Sequence, residues 1–195
     1  MSNILENYVG KVGRSVTLEN FIDLNGQRVY TKIIGDGEPI VFLHGGPGSE
    51  HGFFLPHVLP MAQGFKLVLY DQRGCGKSER SDQYSMEEEV ETLELLRTEL
   101  GLDKISLFGE SWGSMLALLY ATRHPELINK IFLTAAIGIT SEGFKKFKGN
   151  LFRRLSLRDK FRLFRVDRAL RKGNKNFESV LHILDPYYVF GRDAD

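Results

Sequence analysis

The chain has 195 residues, 42% hydrophobic and 26% charged, with a formal net charge of +1. That is enough for a sizeable globular core, and the near-neutral balance points to neither a nucleic-acid nor a membrane partner. One cysteine, Cys75, excludes an internal disulfide framework and fits a reducing compartment.

The N-terminus, MSNILENYVG, has no basic n-region and no apolar h-region, so it does not read as a signal peptide. No apolar run approaches the ~18 residues of a membrane span. A soluble, cytoplasmic protein is expected. Residues 15 to 35 predict a hairpin, with Asn25-Gly26 as the turn between two β-rich runs. PIVFLHGG (39–46) and FKLVLYDQ (65–72) are short apolar runs of the kind buried on both faces of a parallel sheet. Residues 51 to 63 between them predict a helix. A second helix is predicted over 86 to 100, where Val90, Leu93, Leu96 and Leu100 recur at helical spacing and Gly101 stops the run. KISLFG then reads as a strand, SMLALLYATRH as a helix and INKIFLTAA as a strand. Strand and helix alternate from residue 39 to 136, the pattern of a doubly wound α/β sheet.

Composition changes near residue 141. Between Lys145 and Lys175 lie 13 of the 26 Lys and Arg residues. Phe144, Phe147, Leu151 and Leu155 fall at helical spacing, as do Leu157, Phe161 and Phe164. These predict amphipathic helices with a basic outer face, read as a solvated face on helices packed over the sheet, the alternatives being a nucleic-acid or membrane patch or a face that contacts another protein or a further part of this one.

The chemistry concentrates in three turns. Gly109-Glu110-Ser111-Trp112-Gly113 has the form G-x-S-x-G, after a predicted strand and opening a predicted helix. A serine on such a turn projects its hydroxyl above the sheet, and the helix N-terminus aims N–H groups at a developing oxyanion. The plainer reading is a structural turn. His44-Gly45-Gly46-Pro47-Gly48 follows the strand IVFL and exposes backbone N–H groups suited to a second oxyanion donor, or merely forms a tight loop. Asp71-Gln72-Arg73-Gly74-Cys75-Gly76-Lys77-Ser78 ends like a phosphate loop, but that spacing needs Gly where Asp71 stands, so nucleotide binding is rejected.

Together HGGPG, DQRGCGKS and GESWGS resemble the proline iminopeptidase family of α/β-hydrolases, in the family's order, over roughly residues 20 to 140. The resemblance implies an α/β-hydrolase core over residues 1–140 and part of a helical cap over 141–195. It implies Ser111 as the nucleophile of a serine hydrolase, with the backbone N–H groups of Gly46 and Trp112 as oxyanion hole. The activity implied is that of an aminopeptidase, a protease releasing N-terminal residues, often proline, from peptides. The implied partner is a small peptide or ester substrate, with no metal and no cofactor. Relatives cleave other amides and esters, so an esterase or lactonase is the alternative, as is a non-catalytic interaction module. Glu110, where the family often has a small residue, either disfavours anionic substrates or pairs with a base such as Arg73.

In this fold the triad runs Ser, then acid, then His. After residue 136 no apolar strand followed by Asp and no late loop histidine is found. His124 lies 13 residues past Ser111 on one helix, ~20 Å away at ~1.5 Å per residue. His182 sits in an apolar stretch and reads as a packing residue. His51 and His57 have no acid placed to orient them, and His44 belongs to the oxyanion turn. Asp185, Asp193 and Asp195 do not stand in for the family's cap acids. The expectation is a truncated N-terminal portion lacking the C-terminal strands and inactive alone. Its last strand would be an exposed sheet edge open to self-association.

Overall fold

β1 (Thr17–Leu24) and β2 (Gln27–Ile34) pair antiparallel, closing at Leu24↔Gln27. Asn25 and Gly26 both take positive φ, 56° and 85°, the primed turn that Asn-Gly predicts. In this computed structural model the described residues are 17–46, 48–82, 84–170 and 178–188. Residues 1–16, Pro47, Arg171, Lys172, Lys175, Asp193 and Asp195, on which parts of the sequence reading rest, lie outside them.

Four more strands complete the sheet: β3 (Glu38–Leu43), β4 (Phe65–Tyr70), β5 (Ile105–Glu110) and β6 (Ile128–Thr134). The order is β1-β2-β4-β3-β5-β6, antiparallel from β1 to β4 and parallel from β4 through β6. The apolar runs are buried on both faces, as expected of central parallel strands. Val41, Leu43, Val68, Tyr70 and Leu107 join one core with Val90, Leu93, Leu96, Leu116, Ala117 and Tyr120. Their strand neighbours Ile40, Phe42, Leu67 and Leu69 join a second core with Phe54, Val58 and Ala62.

The predicted helix over 51–63 is three pieces instead: a 3₁₀ turn His51–Phe53, α1 (Leu55–Val58) and a 3₁₀ turn Leu59–Gln63. Proline explains the breaks. Pro60 has no N–H and its ring opposes the carbonyl four residues back, so the helix restarts rather than continues. α2 (Met86–Glu99) follows expectation, opened by a Ser85/Glu88 capping box and closed at Gly101, φ 63°. α3 (Trp112–Arg123) packs beside it, and the Tyr120 hydroxyl donates to Glu94 Oε2 at 2.5 Å.

The chain divides into two compact units, residues 1–139 and 140–195. The second holds α4 (Ser141–Arg154), α5 (Leu157–Leu170) and α6 (Glu178–Tyr188). Tyr187 on α6 links to the start of α5, donating to Asp159 Oδ2 at 2.8 Å and accepting from Ser156 N–H at 3.1 Å. The stripe Leu157, Phe161 and Phe164, expected to pack inward, is instead 65–76% exposed, while Leu155 and Ile183 are buried. No described helix is long and apolar enough to cross a membrane.

Candidate active site

Ser111 sits between β5 and α3 with φ 49° and ψ −110°, a conformation that costs a non-glycine residue of order 1–3 kcal/mol. The neighbours show why glycine flanks it. A Cβ at Gly109 would meet the Gly113 carbonyl oxygen at 2.5 Å, and a Cβ at Gly113 would meet the Leu43 carbonyl oxygen at 1.9 Å. The two glycines let helix and strands approach closely, and the surrounding contacts hold the strained turn. Ser111 N–H donates to the Thr134 carbonyl at 3.0 Å, and the Ser111 carbonyl accepts from Ser114 Oγ at 2.5 Å and Ser114 N–H at 3.0 Å. Trp112 is the first residue of α3, so its N–H has no acceptor within the helix.

The glycine-rich turn after β3 lies against this elbow. A Cβ at Gly45 would stand 3.3 Å from Ser111 Cβ. Gly46, at φ 135°, has a conformation that side chains rarely adopt, and a Cβ there would lie 2.7 Å from Gly48 N. The structure therefore brings the turn holding Gly46 together with Ser111 and Trp112. His44 holds this turn in shape. It is fully buried, its Nδ1 lies 2.8 Å from the Gly45 carbonyl, and its Nε2 accepts Gln72 N–H at 3.0 Å. Gln72 Nε2 donates back to the His44 carbonyl at 2.7 Å. The Nδ1–H tautomer satisfies both ring bonds, and burial pushes the imidazole below its usual value. Neither ring nitrogen is left to serve as a base.

His51 corrects the sequence reading, because an acid does orient it. Asp71, fully buried at the end of β4, accepts from His51 Nδ1 at 2.8 Å and His51 N–H at 2.7 Å through Oδ1. Its Oδ2 accepts Lys77 N–H at 2.8 Å, and a Cβ at Gly76 would sit 2.3 Å from that oxygen. The DQRGCGKS loop is thus wrapped around one carboxylate. Burial pushes the Asp71 carboxyl up, but the bonds from His51 and Lys77 outweigh it and leave the group below its ordinary range. β3 separates β4 from β5, so Asp71 stands about two strand spacings, on the order of 10 Å, from the end of β5. Glu50 brings a third ligand atom within 4.8 Å of those of His51 and Asp71. The bonds between Asp71, His51 and Lys77 already occupy this cluster as a structural clasp.

The remaining histidines stand elsewhere. His124 caps the C-terminus of α3 against the Tyr120 ring, His57 is exposed on α1, and His182 on α6 is exposed rather than packed. Arg73 does not pair with Glu110. Its Nε donates to Thr92 Oγ1 at 2.5 Å and its N–H to Glu89 Oε1 at 3.2 Å. Glu89 was not legible as buried. Burial raises its carboxyl to about 7, and its Oε2 and the Tyr70 hydroxyl are buried without a partner among the described residues. Glu110 instead accepts Gly45 N–H.

A family profile for the alpha/beta hydrolase fold matches residues 38–181. The proline iminopeptidase of Lactobacillus helveticus is 38% identical over 133 residues, 64% of this chain and 45% of its own length. Among solved structures, VinJ superposes with a TM-score of 0.75 at 25% identity, covering 88% of this chain and 60% of its own. The proline iminopeptidase-related protein of Thermus thermophilus superposes with a TM-score of 0.59 at 26% identity, covering 62% of this chain and 45% of its own. The chain spans less than half the length of the curated relative it matches.

Proposed function

The chain belongs to the α/β-hydrolase family, and on that premise we propose a serine hydrolase of the proline iminopeptidase type, acting in the cytoplasm on small peptides. The observation that carries this reading is the strained Ser111 at the mouth of α3, with the Gly45-Gly46 turn against it. Ser111 Oγ attacks the carbonyl of the N-terminal residue. The N–H groups of Gly46 and Trp112 hold the oxyanion, and the new amine leaves behind an acyl group on Ser111. Water then releases that acyl group.

The step for which the described residues offer no placed partner is removal of the serine proton. Both nitrogens of His44 are engaged, and His51 is held at Asp71, about two strand spacings from the end of β5. Losing the histidine of a serine-protease triad costs on the order of 10⁶ in turnover. Prolyl-β-naphthylamide turnover by the chain alone is therefore expected to be barely above background and unchanged by Ser111→Ala. Added imidazole, as an external base, should raise it, and Ser111→Ala should remove that increment. Parallel assays with short nitrophenyl esters separate the alternatives. Turnover of esters only would overturn the peptidase reading in favour of an esterase or lactonase. Robust Ser111-dependent turnover without imidazole would reveal a base in the chain, with His57 the first to replace.

We also propose that the chain self-associates through β6. Among the described residues β6 pairs only with β5, and Phe132 and Leu133 are 45% and 38% exposed. An open apolar edge strand is a template for pairing with another chain. Sedimentation at micromolar concentration should show dimers or larger species, and Leu133→Lys should shift them toward monomer. A clean wild-type monomer would refute the proposal.

A further inference from the structure

We propose that α5, with the end of α4, is a docking face for the surface of an anionic lipid bilayer. The inference is independent of the hydrolase reading and concerns the second compact unit alone, residues 140–195. The first argument is the apolar surface. α5 has two apolar sides. Leu163 and Val166 are partly covered, on the side where Tyr187 of α6 holds Asp159. Leu157, Phe161 and Phe164 stand at i, i+4 and i+7 and form a stripe ~10 Å long on the opposite side. All three are 65–76% exposed. Phe152 of α4, also exposed, joins this face through Lys160, whose Nζ lies 5.0 Å from the centre of its ring. Single exposed apolar residues are ordinary, but a cluster of large ones marks an interaction site.

Charge is the second argument. The net charge of +1 averages over an uneven distribution. α4 and α5 together hold ten Lys and Arg residues against three acids. Along α5, Arg158 and Arg165 run down one flank of the stripe and Lys160 stands on the other, with Arg168 one turn beyond Phe164. Asp159 is turned to the packed side, where it accepts from Tyr187 and pairs with Arg162 at 3.0 Å. Asp167 is the one acid on the Lys160 flank. Long cationic side chains lay their methylene stems along apolar surface and reach their charged heads outward, so these flanks extend the apolar stripe as well as charge its rim.

A Leu-Phe-Phe stripe rimmed by cations matches the bilayer interface, where anionic headgroups lie just outside acyl chains. A nucleic-acid backbone would meet the cations but leave the stripe in water. A second copy meeting this face with its own would set the same cations against one another. An apolar hollow of about 590 Å³ beside Phe152, lined also by Leu155, Leu163 and Leu184, suits an acyl chain and offers nothing to a phosphate. At 14 residues α5 is ~21 Å long, too short to span the ~30 Å hydrocarbon core, so the helix lies in the plane of the interface.

The test is flotation of the 195-residue chain with vesicles of phosphatidylcholine alone or with about one third phosphatidylglycerol. Flotation separates vesicle-bound chain from self-associated chain, which sinks. Each cation near an anionic surface is worth about fivefold, so binding to the anionic vesicles should be at least about tenfold tighter. The preference should disappear in about 1 M salt, where the Debye length falls to ~3 Å. Arg158→Glu with Arg165→Glu should remove it at low salt. Phe161→Ser with Phe164→Ser should weaken binding at least about tenfold and leave the thermal melt in place, since both rings face water. Phe161→Trp reports insertion without removing the stripe. Its emission, after subtraction of the wild-type signal from Trp112, should shift to the blue on vesicles and be quenched by brominated acyl chains. No binding, equal binding to both vesicles, binding untouched by the paired serines, or an unshifted Phe161→Trp emission would each overturn the proposal. So would an oligomer that the paired serines dissolve without changing flotation, which gives the face to a second copy. Oligonucleotide binding that needs Arg158 and Arg165 but ignores the phenylalanines, with no flotation, would give it to nucleic acid and overturn the proposal as well.

Discussion

Asp71→Ala is expected to cost the core unit about 3–5 kcal/mol, the range for breaking a buried paired charge by removing one partner. The carboxylate is fully buried and gathers His51 N–H, His51 Nδ1 and Lys77 N–H onto its two oxygens. Alanine leaves His51 N–H and Nδ1 buried with nothing to accept them, and takes the acceptor from the partly buried Lys77 N–H. The loop from residue 71 to 78 would then lose the group it wraps. Ser78 bridges that loop to β2, donating to the Asp71 carbonyl at 2.6 Å and accepting Tyr30 N–H at 2.9 Å, so the damage reaches the sheet. Asp71→Asn should fall between wild type and alanine, because its amide keeps one acceptor oxygen but opposes another N–H donor. The pH dependence has a definite sign. The folded carboxyl lies below its ordinary value, so its stabilisation is present above the unfolded value near ~3.9 and is lost as pH falls through the folded one. Urea melts at neutral pH and at successively lower pH check both points. A wild-type midpoint for Asp71→Ala, or an acid limb that survives the substitution, would contradict the clasp.

Local signals made most of the fold readable. Asn25-Gly26 announces its own turn, and IVFL (40–43) and LVLY (67–70) are apolar at every position because both faces of β3 and β4 are covered. The spacing of Gly109, Ser111 and Gly113 carried the elbow, since each glycine answers a backbone contact set by the strand-to-helix turn itself. What could not be read depends on distance along the chain. His51 and Asp71 are 20 residues apart, and nothing near His51 marks its partner. The nearest signal is an Asp at a strand end followed by two closely spaced glycines, a carboxylate about to be wrapped. Glu89 sits in an acidic first turn where exposure is the ordinary expectation, and its Oε1 accepts the N–H of Arg73, sixteen residues back along the chain. The break in residues 51–63 was visible in Pro56 and Pro60 but was outvoted by the apolar residues around them. Periodicity placed Leu157, Phe161 and Phe164 on one face, but the packed side of α5 is the one that carries Leu163, only partly exposed.

Gly113→Ala should be more damaging than any substitution at Ser111, although it adds a single methyl group. That methyl would lie 1.9 Å from the Leu43 carbonyl oxygen and 2.6 Å from its carbon. Both are backbone atoms of β3, which is hydrogen-bonded to β4 on one side and β5 on the other. No rotamer change can relieve the overlap. Either β3 breaks its pairing or the first turn of α3 withdraws by more than an ångström. Overpacking a core ordinarily costs 1–3 kcal/mol, so a clash with an immobile backbone is expected at or above about 3 kcal/mol. Withdrawal of α3 would also carry Trp112 N–H and Ser111 away from the Gly45-Gly46 turn, separating the proposed oxyanion donors. The matched control is Gly149→Ala in α4, where a Cβ meets nothing within 4 Å and φ is ordinary. There the same methyl should stabilise its helix by about 0.5–1 kcal/mol, because alanine loses less backbone freedom on folding. Thermal and urea melts of the two variants should therefore move in opposite directions. Equal melts would mean that α3 does not approach β3 as closely as the Ser111 elbow requires.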